Sequence, residues 1–345
     1  MPDLKFLEFA WPELASAYGF RAFSAVVHIA TGDEASVWRA ETDQGSVCMK
    51  VLRSGCVTTD FERRATLMEH LRSAGLPFPR LIENASGGAL TTFGSQTIGI
   101  WAWINGLVRP SFDQASVRSA SRLLARLHRA LRRPPHLRPE EGDAPRWLTE
   151  PAAVAGDTCL ALLDAISQLP RLHPVDLRYQ SALRERLDDL TRVDDLRRSM
   201  PQLTSQLVHH DYTRPNLLFE NHCVVAVLDL KGHVASPVWE LGKIAFEPQT
   251  VVRSADWLEM AYAATTEYCA EDPAASATAW LCARAVVLYN LFSFWGPWQR
   301  YVDGIRTEQD DMDGYWLNRH VTARLLLANL GAVEDRLARA CTFHG

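Results

Sequence analysis

Residues 208–232, VHHDYTRPNLLFENHCVVAVLDLKG, set His209, His210, Asp211, Asn216 and Asp229 among apolar runs such as Leu217–Phe219 and Val224–Leu230. Burying an unpaired polar group costs a few kcal/mol. A chain that folds around this stretch must therefore give each of these groups a partner or a ligand. The pattern predicts a loop over HHDYTRPN and a buried strand over VVAVLDL. Asp211 then opens the loop, Asn216 follows within it, and Asp229 closes the strand. Asn216 and Asp229 supply oxygen donors of the kind a hard cation such as Mg2+ takes alongside phosphate and water oxygens. Asp211 is left to receive a proton from a hydroxyl. Phosphoryl transfer needs little more, because its catalysis is mostly positioning and charge neutralisation.

A triphosphate also needs a backbone-rich turn and a cation, and both lie upstream. Residues 20–104 read as β-rich, with FSAVVHIA, ASVWRAET and SVCMKVLR as short strands, a hairpin turn at Asp43-Gln44-Gly45, and ALTTFG and TIGIWAWI further on. The turn Thr31–Ser36, with its single glycine Gly32, would bring Ser36 to the phosphates. Lys50 stands in an apolar strand between Met49 and Val51, where its ammonium would be desolvated without an anionic partner. One helix, TDFERRATLMEHLRSAG, opens with Thr59 or Asp60 as cap and ends before Gly75, with Phe61, Ala65, Met68 and Leu71 on one face. That helix offers Glu62 or Glu69 as the counter-ion of Lys50, with Glu62 preferred.

From Asn105 the texture becomes helical. SVRSASRLLARLHRALRR aligns Val117, Ala120, Leu124, Leu127 and Leu131 on one stripe and stops at Pro134-Pro135. The charged, proline-rich RRPPHLRPEEGDAPRW reads as an exposed loop, and further helices are expected over 150–168, 176–199, 255–270, 274–295 and 315–340. A chain of 345 residues, 47% apolar and 22% charged, has the make-up of a globular protein with two lobes or domains. Its net charge of -5 argues against a nucleic-acid partner, which would want clustered Lys and Arg. Seven scattered cysteines without a CxxC pair read as reduced thiols. The stretch MPDLKFLEFAWPELA lacks the basic start and apolar run of a signal peptide, and no apolar run approaches the roughly 20 residues of a membrane helix. A cytoplasmic monomer or homodimer with no membrane partner is expected.

HHDYTRPN followed by VVAVLDL resembles, in order and spacing, the His-x-Asp-x-x-x-x-Asn signature and Asp-terminated strand of the aminoglycoside phosphotransferase and choline kinase-like enzymes. LMEHLRSAGLPFPRLI and LLARLHRAL are similar to other segments of that family, and the resemblance covers most of residues 20–250. It implies an α+β, bilobal protein-kinase-like fold, with a small β-rich lobe over 1–104 and a large helical lobe over 105–345. It implies Asp211 as catalytic base, His209 as an orienting group, Asn216 and Asp229 as magnesium ligands, and Lys50 on the α- and β-phosphates. ATP, or GTP, would lie between the lobes, its base near Trp103 and Asn105. Arg214 would meet the γ-phosphate or face solvent. The chain departs from the family at His210, where glycine is usual, at Lys231, where an acid is common, and at Glu240, where Asp is common and a structural cap is expected.

The function expected is transfer of the γ-phosphate to a hydroxyl of a small molecule, an antibiotic first, with resistance as the outcome. The alternatives are a metabolic acceptor such as choline, homoserine or a sugar, and a non-catalytic nucleotide-binding protein. The acidic run TEQDDMDG, residues 307–314, reads either as a solvated face or as a carboxylate-lined entrance for a cationic acceptor.

Overall fold

Alternation along residues 35–52 decides where Lys50 stands. In the computed structural model, helix α1 (Leu4–Ala17) is followed by strands β1 (Ser24–Thr31), β2 (Ala35–Thr42) and β3 (Gly45–Leu52), helix α2 (Thr58–Ser73), and strands β4 (Leu81–Ile82), β5 (Leu90–Phe93) and β6 (Gln96–Ala102). The structure describes all residues except 1–3, 33, 54–55, 94–95, 133–144, 305–309 and 343–345, and the side chains of 4–10 and 310–313 also fall outside it. The strands form one antiparallel sheet in the order β1-β2-β3-β6-β4, with β5 also on β6. Val47, Met49 and Val51 point to one face, into a core with Leu14, Tyr18, Phe20, Trp38, Ile98 and Ile100. Lys50, opposite Val37 and Gly99, points to the other face because strand side chains alternate. Leu52, Phe61 and Trp101 form a second cluster there, with Cys48 packed against it.

The helical elements come next: α3 (Gln114–Leu131), α4 (Arg146–Thr149), α5 (Ala152–Ser167), α6 (Pro174–Leu190) and α7 (Val193–Arg198), then strand β7 (Gln206–Val208). A hairpin of β8 (Leu217–Glu220) and β9 (Cys223–Val227) leads to β10 (His233–Ala235) and α8 (Pro237–Ala245). The chain closes with α9 (Pro248–Arg253), α10 (Trp257–Glu271), α11 (Ser276–Ala279), α12 (Cys282–Leu291), α13 (Trp295–Tyr301) and α14 (Asp310–Thr342). All five residues of the stripe on α3 are buried, and the helix opens with a capping box in which Asp113 accepts from the Ser116 N–H.

Two compact units result, one of Met1–Leu107 with Asn216–Gly232, the other of Val108–Pro215 with His233–Gly345. The hairpin therefore belongs to the sheet-bearing unit and not to the helical one. Leu107 and Phe219 exchange backbone hydrogen bonds of 2.9 Å, and the Val227 N–H donates to the Pro77 carbonyl at 2.8 Å.

Several local expectations shift. Helix α2 starts at Thr58 after Val57, without a side-chain cap, while Asp60 pairs with Arg63 at 2.8 Å and Arg64 at 2.9 Å. The helix expected over 274–295 is three pieces, α11, α12 and the start of α13, and 176–199 divides between α6 and α7. Helix α1 carries Pro12 and was not expected. Most of the proline-rich loop lies outside the described residues. Each of the seven cysteines is free. No single helix among the described residues is long and apolar enough to cross a membrane.

Candidate active site

In the sheet-bearing unit, the Lys50 ammonium forms an ion pair with the Asp229 carboxylate, 179 residues away in the chain. The Lys50 side chain is 24% exposed and that of Asp229 is 48% exposed, so an incoming anion or cation can reach both. Asp229 lies just beyond β9 in the left-handed region, at φ 55°, a conformation that aims its carboxylate off the strand line at a cost of about 1–2 kcal/mol. Asn216 stands at the open end of the same hairpin: Leu217 pairs with Val227, and the Asn216 carbonyl accepts from the Leu228 N–H at 2.9 Å.

Helix α2 holds the turn after Asp229, but with a base and not an acid. The Arg63 guanidinium donates to the Gly232 carbonyl at 3.0 Å and to the Lys231 carbonyl at 3.1 Å. Gly232 is at φ 65°, and a Cβ there would lie 2.8 Å from Leu67 Cδ2, so only glycine lets the turn approach the helix so closely. Lys231, in place of the family's acid, reaches Glu34 at 2.9 Å, and Arg64 meets the same carboxylate at 2.8 Å. Burial acts to raise the Glu34 carboxyl, but Lys231 and Arg64 outweigh it and hold it below its usual value.

The helical unit holds the other half of the motif. His209 is fully buried. Its Nδ1 accepts from the Asp211 N–H at 3.2 Å, and its own N–H donates to Glu240 Oε2 at 3.0 Å. That acceptor role puts the proton of a neutral His209 on Nε2. His210 sits at φ 72°, which accounts for glycine being usual here. Its ring rests 5.0 Å from that of His233 and 5.2 Å from that of Trp239. Lys243 on α8 donates to the His210 carbonyl at 2.9 Å and stands 3.9 Å from Asp211 Oδ1. Glu240, with no exposure, also accepts from His128 Nε2 at 3.0 Å and from the Tyr212 N–H at 3.3 Å. Burial pushes its carboxyl up, but the hydrogen bond and charge of His128, with Lys243 and His209, outweigh that and bring it to about 2. One carboxylate thus fixes the backbone on both sides of Asp211.

A model of the phosphotransferase enzyme family matches residues 26–279. The chain belongs to that family. Its fold matches spectinomycin phosphotransferase APH(9)-Ia, solved with ADP and spectinomycin, at 12% identity over 92% of this chain and 97% of that one, TM-score 0.66. Choline kinase from Cryptosporidium parvum Iowa II matches at 9% identity over 89% and 90%, TM-score 0.59. An amicoumacin kinase, solved with AMP-PNP, Ca2+ and Ami, matches at 14% identity over 96% of each chain, TM-score 0.55. A search of curated sequences returned no match.

This phosphotransferase departs from one expectation about its site, the counter-ion of Lys50. Glu62 is exposed on α2 and is not the partner of Lys50, which pairs with Asp229. Glu69 pairs with Arg72 within the helix. The helix is rotated so that Arg63 and Leu67 face the turn after Asp229. Arg214 is held by buried Glu247 at 3.0 Å and by the Arg109 carbonyl. Ser36 is 2% exposed and paired in the sheet with Thr31 and Val51. The Trp103 N–H is engaged by the Ser46 carbonyl at 3.0 Å, and its indole N–H donates to Asn105 Oδ1 at 3.2 Å. Lys243 was missed; its position three residues after Glu240, one helical turn on, was the available signal. The side chains of the acidic run 307–314 lie, up to Asp313, outside the described residues.

Proposed function

We propose that this phosphotransferase moves the γ-phosphate of ATP to a hydroxyl of a small molecule in a Mg2+-dependent reaction. The observation that carries the reading is the Lys50–Asp229 ion pair, which joins a cation and a carboxylate 179 residues apart in the chain. Asn216 and Asp229 suit Mg2+: two oxygen donors are too few for a protein cage and right for an ion that also takes phosphate and water oxygens. When bound, the ion neutralises charge on the phosphates. Lys50 grips the nucleotide phosphates, as a partly exposed cation on a central strand can. Asp211 takes the proton of the acceptor hydroxyl. His209 and Glu240 hold the Asp211 backbone, and the Lys243 ammonium beside the base offsets negative charge as the phosphoryl group arrives. Solved neighbours carrying ADP with spectinomycin, and AMP-PNP with Ca2+, support both the nucleotide and an antibiotic-like acceptor.

The test is a screen of hydroxylated antibiotics and metabolites for phosphate transfer, repeated on variants. Asp211→Asn should lower kcat by about 10³-fold, in line with loss of a general base, while Mg·ADP still raises the melting temperature as in the wild type. Asp229→Ala should lose both turnover and that stabilisation. Near wild-type turnover by Asp211→Asn would remove Asp211 as the base.

A further inference from the structure

Along the helical unit, three aromatic and imidazole rings run from the base to a buried guanidinium. His210 rests 5.2 Å from Trp239, Trp239 lies 5.0 Å from Tyr289, and the Arg319 guanidinium sits 4.7 Å over the Tyr289 ring. Arg319, on α14, is 6% exposed. Its Nε donates to Asn290 Oδ1 at 2.9 Å, while its Nη2 is buried with no hydrogen-bond partner among the described residues. No carboxylate among the described residues pairs with it.

A second guanidinium behind it repeats the pattern. Arg186 on α6 is fully buried, stacked 4.4 Å from the Trp316 ring and 5.3 Å from the Phe294 ring. Its Nη1 donates to the Ser293 carbonyl at 2.8 Å, and its Nε and Nη2 have no hydrogen-bond partner among the described residues. The nearby Asp189 acts on it through charge: Oδ2 of Asp189 has no hydrogen-bond partner among the described residues and lies 3.5 Å from Arg324. Burial drives the Arg186 guanidinium down to about 9, and the charge of Arg319 adds to that fall.

Buried charge without a partner is costly, of the order of several kcal/mol. An approaching carboxylate would offset that cost and match the guanidinium fork. Among the described residues Glu240 is committed to His128 and Glu247 to Arg214, and Asp211 is the carboxylate whose charge reaches Tyr289, against those of Arg319 and Lys243. Burial and, less so, the charge of Asp211 work to raise the Tyr289 hydroxyl, yet the charges of Arg319 and Lys243 and a hydrogen bond with Arg319 outweigh them and hold the group below its usual value. The field here favours negative charge.

We propose that Arg319, with the Tyr289 hydroxyl beside it, recognises a carboxylate on the acceptor, so that the substrate is a hydroxylated acid. The proposal rests on Asp211 being the base, and its test separates the two.

Benzoate and benzamide, alike in shape and different in charge, serve as probes, titrated by tryptophan fluorescence with Mg·ADP present. Benzoate should bind at least tenfold more tightly. Arg319→Gln should abolish the difference, Arg319→Lys should keep part of it, and Tyr289→Phe should weaken benzoate several-fold without touching benzamide. Stabilisation by Mg·ADP should be unchanged in all three; its loss in the wild type would instead count against the nucleotide-binding reading. Hydroxy acids should then outperform their amides as acceptors through KM, and Arg319→Gln should raise KM for the acids alone. Equal binding of benzoate and benzamide, or discrimination that survives Arg319→Gln, overturns the proposal. Should Arg319→Gln fail to fold, Arg319→Lys and Tyr289→Phe decide it: unchanged discrimination in both overturns it as well.

Discussion

Glu240 accepts from His128, from the His209 N–H and from the Tyr212 N–H while having no contact with water. Protonating it would break bonds that hold the loop around Asp211. Its folded carboxyl is depressed to about 2, against roughly 4.3 for a free glutamate. The stabilisation is therefore fully present above about pH 4.5 and is lost as pH falls toward 2. Its size is on the order of 3 kcal/mol. Urea melts at pH 7, 4 and 3 should show stability falling steeply over that window. Glu240→Gln should flatten the fall and cost about 3 kcal/mol at pH 7, because its amide would face donors with a donor. A variant as acid-sensitive as the wild type would mean another carboxylate governs the loss. At this scale the motif was legible: the spacing of His209, Asp211 and Asn216 is covalent, and so survives folding unchanged. Partner choice was not, since whether Glu62 or Arg63 faces the turn after Asp229 depends on how α2 is rotated on the sheet.

Helix α8 carries Glu240 and Lys243 on successive turns with Gly242 between them. A Cβ on Gly242 would lie 2.5 Å from the Cys282 carbonyl oxygen and 3.0 Å from Val286 Cβ. Helix propensity alone says that Gly242→Ala should stabilise by up to about 1 kcal/mol. The clash reverses the sign, because a backbone carbonyl at the start of α12 cannot turn aside as a side chain could, and overpacking costs about 1–3 kcal/mol. The variant should melt several degrees lower and should also lose kcat, as α8 shifts and carries Lys243 away from Asp211. A raised melting temperature would show that α12 yields. Element boundaries were legible where burial is periodic, as along α3, whose stripe is buried throughout. They were illegible over 274–295, where the chain is apolar on all sides and no face marks the break between α11 and α12. Pro12 hid α1 in the same way, since a proline in its middle argues against the helix that packing of Leu14 and Ala15 supports.

Across the whole molecule, the chain leaves the sheet-bearing unit after Leu107 and returns to it only for Asn216–Gly232. Composition showed two bodies, and the helical texture after Asn105 marked the departure. The return went unseen, because it depends on pairings such as Leu107 with Phe219 that join distant parts of the sequence. On the ribosome this detour becomes a schedule. At about 5–20 residues per second, Lys50 emerges and waits on the order of ten seconds for the carboxylate that neutralises it. Stalled nascent chains that end before Asp229 should leave the Lys50 strand open to protease whether or not Mg·ADP is added, and protection should rise once Gly232 has cleared the exit tunnel. Equal protection at both lengths would mean that the sheet matures without its late hairpin. A messenger truncated before the hairpin thus yields a sheet whose Lys50 lacks its carboxylate partner.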